Sequence, residues 1–139
     1  MTNKPVGAKQ GAAAAQWPGG SEAILLVEDD VVLRDLFCAV LGTCGYEVSI
    51  AASGSEALAA VHRRAGRFAL VVSDVRMPGM SGLELARRLR AEGESAPILL
   101  LSGYGEADLA GVAGLAVTFA EKPLPPGVLA RKVRELLDG

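Results

Sequence analysis

The sequence predicts a single doubly wound α/β domain: a five-stranded parallel sheet in the order 2-1-3-4-5, with five helices packed on its faces. Three observations point there. Short, continuous apolar runs recur at 24–27, 68–72, 98–101 and 117–119, and runs without alternation suit strands covered on both faces. Longer stretches of helical period lie between them, and repeated strand–helix alternation implies right-handed crossovers in one sheet. One segment differs: at 46–50 apolar Tyr46, Val48 and Ile50 alternate with Glu47 and Ser49. That is the pattern of a half-exposed edge strand, so the second strand belongs at an edge.

The helices follow in order. Residues 31–43 place Val32, Leu33, Leu36, Phe37, Val40 and Leu41 at helical spacing, with Gly42 and Gly45 as stop signals. Residues 54–65 are opened by Ser53 with Glu56 three residues on, the pattern of a capping box. Residues 82–92 carry Leu83, Leu85, Ala86 and Leu89. A fourth helix near 106–113 is expected to be short and mobile, because an interior glycine such as Gly111 costs roughly 1 kcal/mol relative to alanine. Residues 125–137 close the chain, with Pro125 and Pro126 suited to a first turn.

Composition bounds the function. The 139 residues are enough for one sizeable core, 22% are charged, and the net charge is −2. No basic footprint of a nucleic-acid binder is present. No apolar run is long enough to span a bilayer and no leader pattern opens the chain, so the expected location is the cytoplasm. Residues 1–22 are rich in Ala, Gly and small polar residues and read as a flexible tail or linker, with Trp17 as a chance aromatic; residues 23–139 form the domain. Cys38 and Cys44 read as small core residues in a reducing compartment, since with His62 they are too few for a zinc site.

In such sheets ligands bind beyond the carboxyl ends of the strands. Glu28 and Asp29 follow the first run, Asp74 the third strand, Ser102 the fourth, and Glu121 and Lys122 the fifth. The carboxylates of Glu28, Asp29 and Asp74, the Ser102 hydroxyl and the Lys122 ammonium are therefore delivered to one sheet edge. Crowded carboxylates repel one another, and hard oxygen ligands favour Mg²⁺, with Mn²⁺ able to substitute. A carboxylate there can attack phosphorus, and Lys122 and Ser102 can engage the phosphoryl oxygens.

With these residues in place, the stretches ILLVEDD, VVSDVRMPGMSG, ILLLSGYGE and FAEKPL, spanning residues 24 to 124, resemble the bacterial response-regulator receiver family of two-component signalling. The resemblance implies a flavodoxin-like fold and assigns roles residue by residue. Asp74 matches the phosphoacceptor. Glu28, Asp29, Asp74 and the backbone carbonyl of Arg76 match the Mg²⁺ ligands. Ser102 and Phe119 match the switch hydroxyl and switch aromatic, and Lys122 the lysine that pairs with the phosphoryl group. Lys122-Pro123 is similar to the family's cis peptide bond. Arg76 and Tyr104 stand where side chains flank the hydrolytic water. The implied partners are a sensor histidine kinase or histidine phosphotransfer protein as donor, and a downstream protein target, with neither nucleic acid nor membrane bound directly. The chain is expected to catalyse only its own phosphorylation and dephosphorylation.

Ser102 stands where threonine is commoner, and Phe119 lacks the hydroxyl of the usual tyrosine. Two rivals remain at this stage. A dehalogenase-like phosphatase would want an acid two residues after Asp74, where Arg76 stands. A degenerate, purely interacting receiver would not keep the full acidic set. No fused output domain is expected after the last helix, which leaves a stand-alone regulator or the receiver of a hybrid histidine kinase, to which SGYGE and AEKPLPP are similar.

Overall fold

The structure, a computed structural model, describes residues 17–64, 67–103 and 114–139. In chain order the elements are β1 (Ala23–Val27), α1 (Val31–Thr43), β2 (Glu47–Ala51), α2 (Gly54–Arg63), β3 (Leu70–Asp74), α3 (Gly82–Ala91), β4 (Ile98–Ser102), β5 (Val117–Glu121) and α4 (Pro126–Asp138). The strands form one sheet in the order β2-β1-β3-β4-β5, and every pairing is parallel. This is the predicted topology, with β2 at the edge. The expected helix near 106–113 lies outside the described residues, so α4 corresponds to the fifth helix expected from the sequence.

Strand side chains alternate between faces, and the two faces of this sheet are both apolar. Ile24, Leu26, Leu70, Val72, Leu99 and Leu101 pack with Phe37, Val40 and Leu41 of α1 and with Leu129, Ala130 and Val133 of α4. Leu25, Val27, Val71, Ile98 and Leu100 pack with Ala57 of α2 and with Leu85, Ala86 and Leu89 of α3. β3 and β4 are buried along their whole length, which is why their sequences read as unbroken apolar runs. Each fully buried Leu or Ile stabilises the fold by roughly 1.5–3 kcal/mol relative to exposure.

Several boundaries differ from the sequence reading. β3 starts at Leu70, two residues after the apolar run begins, and runs on to Asp74. Phe68 is buried ahead of the strand, with the Arg64 guanidinium 4.8 Å from its ring centroid. β4 and β5 likewise extend through Ser102 and Glu121, which pair with each other. The N-cap of α1 is Asp30, whose carboxylate accepts from the backbone N–H groups of Val32 and Leu33. At α2, Ser53 accepts from the Glu56 N–H as expected, while the Glu56 carboxylate takes the Ala52 N–H. Ile50, on the same face as Val48, stays half exposed at the open edge of β2. Cys38 and Cys44 are both free, with Cys44 buried.

The chain enters β5 through a turn in which Ala116 has φ 56°. A left-handed conformation crowds Cβ against the following carbonyl. Arg90 of α3 holds this turn, donating to the carbonyls of Leu115 at 2.7 Å and Ala116 at 3.2 Å, and to that of Glu94 at 2.7 Å. Ala116→Gly removes the strain of roughly 1–2 kcal/mol and adds some unfolded-state entropy. A net gain of about 0.5–1 kcal/mol in urea unfolding is expected; a loss of stability would contradict this account.

Candidate functional site

Parallel pairing sends the carboxyl ends of all five strands to one edge. The register makes Val27 level with Ser73, and Asp74 level with Leu101. Glu28 and Asp29, directly after β1, and Ser102, last in β4, therefore flank Asp74. One carboxylate oxygen from each of Glu28, Asp29 and Asp74 lies within 4.8 Å of the others. Lys122 follows β5, and its Nζ sits 3.0 Å from Asp74 Oδ1. The Lys122 N–H donates to the Ser102 carbonyl at 2.8 Å, which ties the end of β5 to the end of β4, and the Lys122-Pro123 peptide is cis.

The pocket is graded in burial. Asp74 is 4% exposed and Glu28 1%, whereas Asp29 is open to solvent. Glu28 Oε2 accepts the Asp30 N–H at 3.1 Å, but Glu28 Oε1 is buried with no hydrogen-bond partner. Ser102 is buried, and its hydroxyl donates to the Gly103 carbonyl at 3.2 Å. The Ser73 hydroxyl donates to the Asp74 carbonyl at 3.0 Å. The first turn of α3 presses on the same carbonyl: a Cβ on Gly82 would lie 2.2 Å from it.

Phe119 lies level with Leu100 on β5, partly buried against the α2–α3 side of the core. Arg76 is exposed in the loop after β3, above buried Met77. Tyr104 lies outside the described residues. The structure thus gathers Glu28, Asp29, Asp74 and Lys122, brings Ser102 alongside, and leaves Phe119 farther back along β5. Sequence reasoning passed over Gly82 and Ser73. The only signal for Gly82 was its place after Ser81, the N-cap of α3.

The electrostatics follow from this crowding. Burial pushes the Glu28 carboxyl up to about 7; the Asp30 N–H opposes the shift, Asp74 adds to it, Lys122 opposes it, and Asp29 adds a little. Between its ordinary value of 4.5 and about 7, the folded chain binds more protons at this site than the unfolded chain does. This group therefore lowers stability as pH rises through that window. In metal-free buffer Glu28→Gln should remove the loss, so that its stability relative to wild type grows between pH 5 and pH 8, on the order of 2 kcal/mol. Parallel stability curves for the two proteins would refute the assignment.

A doubly wound 2-1-3-4-5 sheet with an acidic pocket and a lysine at its carboxyl edge defines a CheY-like signalling domain. The chain belongs to the response regulator receiver domain family, whose model matches residues 24–134. It is 38% identical over 102 residues to the transcriptional regulatory protein FixJ of Bradyrhizobium diazoefficiens, covering 72% of this chain and 49% of that protein. It is 39% identical over 121 residues to the sensor kinase CckA of Brucella abortus, covering 86% of this chain and 13% of that one. The chain therefore spans half or less of these relatives. Among solved structures, a CheY-like receiver domain protein from Methanospirillum hungatei aligns with TM-score 0.79 at 29% identity, covering 86% of this chain and 95% of that one. The receiver domain of the hybrid histidine kinase CckA aligns with TM-score 0.70 at 36% identity, covering 83% and 98%.

Receiver domains are signalling phosphoacceptors that work with sensor kinases or phosphotransfer proteins and generally bind Mg²⁺ at an acidic pocket. The residues present here fit that ion: three carboxylates supply hard oxygens, and buried Glu28 Oε1 lacks a hydrogen-bond partner. Among the described residues, no helix is long and apolar enough to cross a membrane.

Proposed function

We propose that this chain accepts a phosphoryl group on Asp74 from a phosphohistidine of a sensor histidine kinase or histidine phosphotransfer protein. The observation that carries the reading is a nearly buried carboxylate at a strand end, 3.0 Å from the Lys122 ammonium and within 4.8 Å of two further carboxylates. An isolated acid in that position would be strongly disfavoured. An Asp74 oxygen attacks phosphorus, the new O–P bond forms as the P–N bond breaks, and the leaving imidazole nitrogen keeps the electron pair and takes up a proton.

Glu28, Asp29, Asp74 and the Arg76 backbone carbonyl would hold Mg²⁺, or Mn²⁺ in its place. When bound, the dication neutralises charge in the pocket and on the phosphoryl oxygens. Lys122 leaves its pairing with the carboxylate to meet one phosphoryl oxygen. Ser102 redirects its hydroxyl from the Gly103 carbonyl to another. The product adds about two negative charges to the pocket near neutral pH. Phe119 then moves inward, and the face of β5 and α4, with the expected helix near 106–113 that lies outside the described residues, presents the changed surface to a downstream protein target. The chain turns over no separate substrate, works in the cytoplasm, and touches neither nucleic acid nor membrane directly.

Asp74→Asn should abolish Mg²⁺-dependent labelling by acetyl phosphate or a cognate kinase; full labelling of the variant would sink the reading. Arg76 and Tyr104 come two residues after Asp74 and Ser102, where side chains of the family flank the hydrolytic water; both are bulky residue types, so the aspartyl phosphate should be long-lived. The Arg76→Ala, Tyr104→Ala double variant should lose label faster than wild type in a chase experiment. Slower loss would count against the role of both residues.

A further inference from the structure

Residues 17–22 lie against the folded body. Trp17 packs on the apolar cluster shared by α1 and α4. The Gly20 N–H donates to the Cys44 carbonyl at 3.1 Å, at the corner between α1 and β2. From α4, the Arg134 guanidinium donates to the Gly19 carbonyl at 3.1 Å, to the two Glu22 carboxylate oxygens at 3.2 and 2.8 Å, and to the Tyr46 hydroxyl at 3.4 Å. It also bonds Asp138 at 3.1 Å.

The fit depends on missing side chains at four separated positions. A Cβ on Gly19 would lie 2.2 Å from the Cys44 carbonyl oxygen, and one on Gly20 2.5 Å from Arg134 Nη1. One on Gly45, where φ is 105°, would lie 2.5 Å from the Gly20 carbonyl oxygen, and one on Gly127 would lie 3.0 Å from Trp17 Nε1. Gly45 also ends α1 with its positive φ, but a glycine-rich lead-in acting only as a spacer has no use for a matching glycine at 127 inside α4. Exposed ion pairs contribute little singly. Here one guanidinium joins backbone, carboxylate and phenol groups from three parts of the chain, beside a packed indole.

We infer that residues 17–22 are a docked strap that locks α4 to the α1–β2 corner. The folded body then includes Trp17, six residues ahead of β1, and the chain entering the domain is held to the C-terminal helix. The lock rests on contacts remote from Asp74 and stands independently of the phosphoacceptor reading.

Trp17 is the sole tryptophan, so its fluorescence in the full chain reports the strap directly. Arg134→Ala and Gly19→Ala should each shift Trp17 emission to the red and increase acrylamide quenching. Because coupling is reciprocal, Trp17→Ala should speed amide hydrogen exchange in α4 while leaving α2 and α3 unchanged. Gly127→Ala, ordinarily favourable in a helix, should raise the melting temperature more in a Trp17→Ala background than in wild type. Unshifted emission in Arg134→Ala, unchanged α4 exchange in Trp17→Ala, or equal gains from Gly127→Ala in both backgrounds would each overturn the lock. Should Gly19→Ala fail to fold, the other three variants still decide.

Discussion

Charge crowding at the end of β3 is the constraint around which the rest of this structure is arranged. Two unit charges 4.8 Å apart repel by roughly 3–4 kcal/mol at an effective dielectric of about 20. Glu28, Asp29 and Asp74 make three such pairs when all are ionised, and two of the three carboxylates are nearly shut off from water. Lys122 at 3.0 Å offsets part of this. Burial, with Asp74 and Asp29 adding to it, pushes the Glu28 carboxyl up to about 7, and Glu28 Oε1 is left buried without a hydrogen-bond partner. The pocket is thus built to be short of cations.

The sheet makes such crowding sustainable. Only parallel strands bring every carboxyl end to one edge, and both faces of this sheet are covered by helices that fix strand position. Ladder pairing then sets the heights: Asp74 beside Leu101, Ser102 beside Glu121, with Lys122 next in line. Leu, Ile and Val side chains at full burial supply the stabilisation that offsets the electrostatic cost at the edge. The same aliphatic core explains how so few aromatic residues suffice.

Most of this was legible in the sequence. The unbroken apolar runs and the one alternating segment fixed strand number, parallel pairing and the edge position of β2, because burial on two faces leaves a direct imprint on residue choice. The acidic residues, Ser102 and Lys122 stood out as a set, because four strands in turn deliver them to one edge of the sheet, where a single acid would have meant little. What stayed hidden involves contacts between residues far apart in the chain. Arg134 looks like any charge on the wet side of an amphipathic helix, and Gly19 and Gly20 look like linker; their meeting across more than a hundred residues has no local pattern. Phe68 reads as strand because it is apolar and buried, yet it precedes the ladder under Arg64.

Gly82 shows a different kind of demand on the site. Its α-carbon lies so near the Asp74 carbonyl that even a methyl group would overlap the oxygen, and its own N–H is bonded to Val75. A residue with no side chain therefore sets how near the backbone of Asp74 may stand to the helix behind it. In a family of variants under selection, bulk at position 82 would be purged for its volume alone, because it would displace the end of β3 without any change in charge.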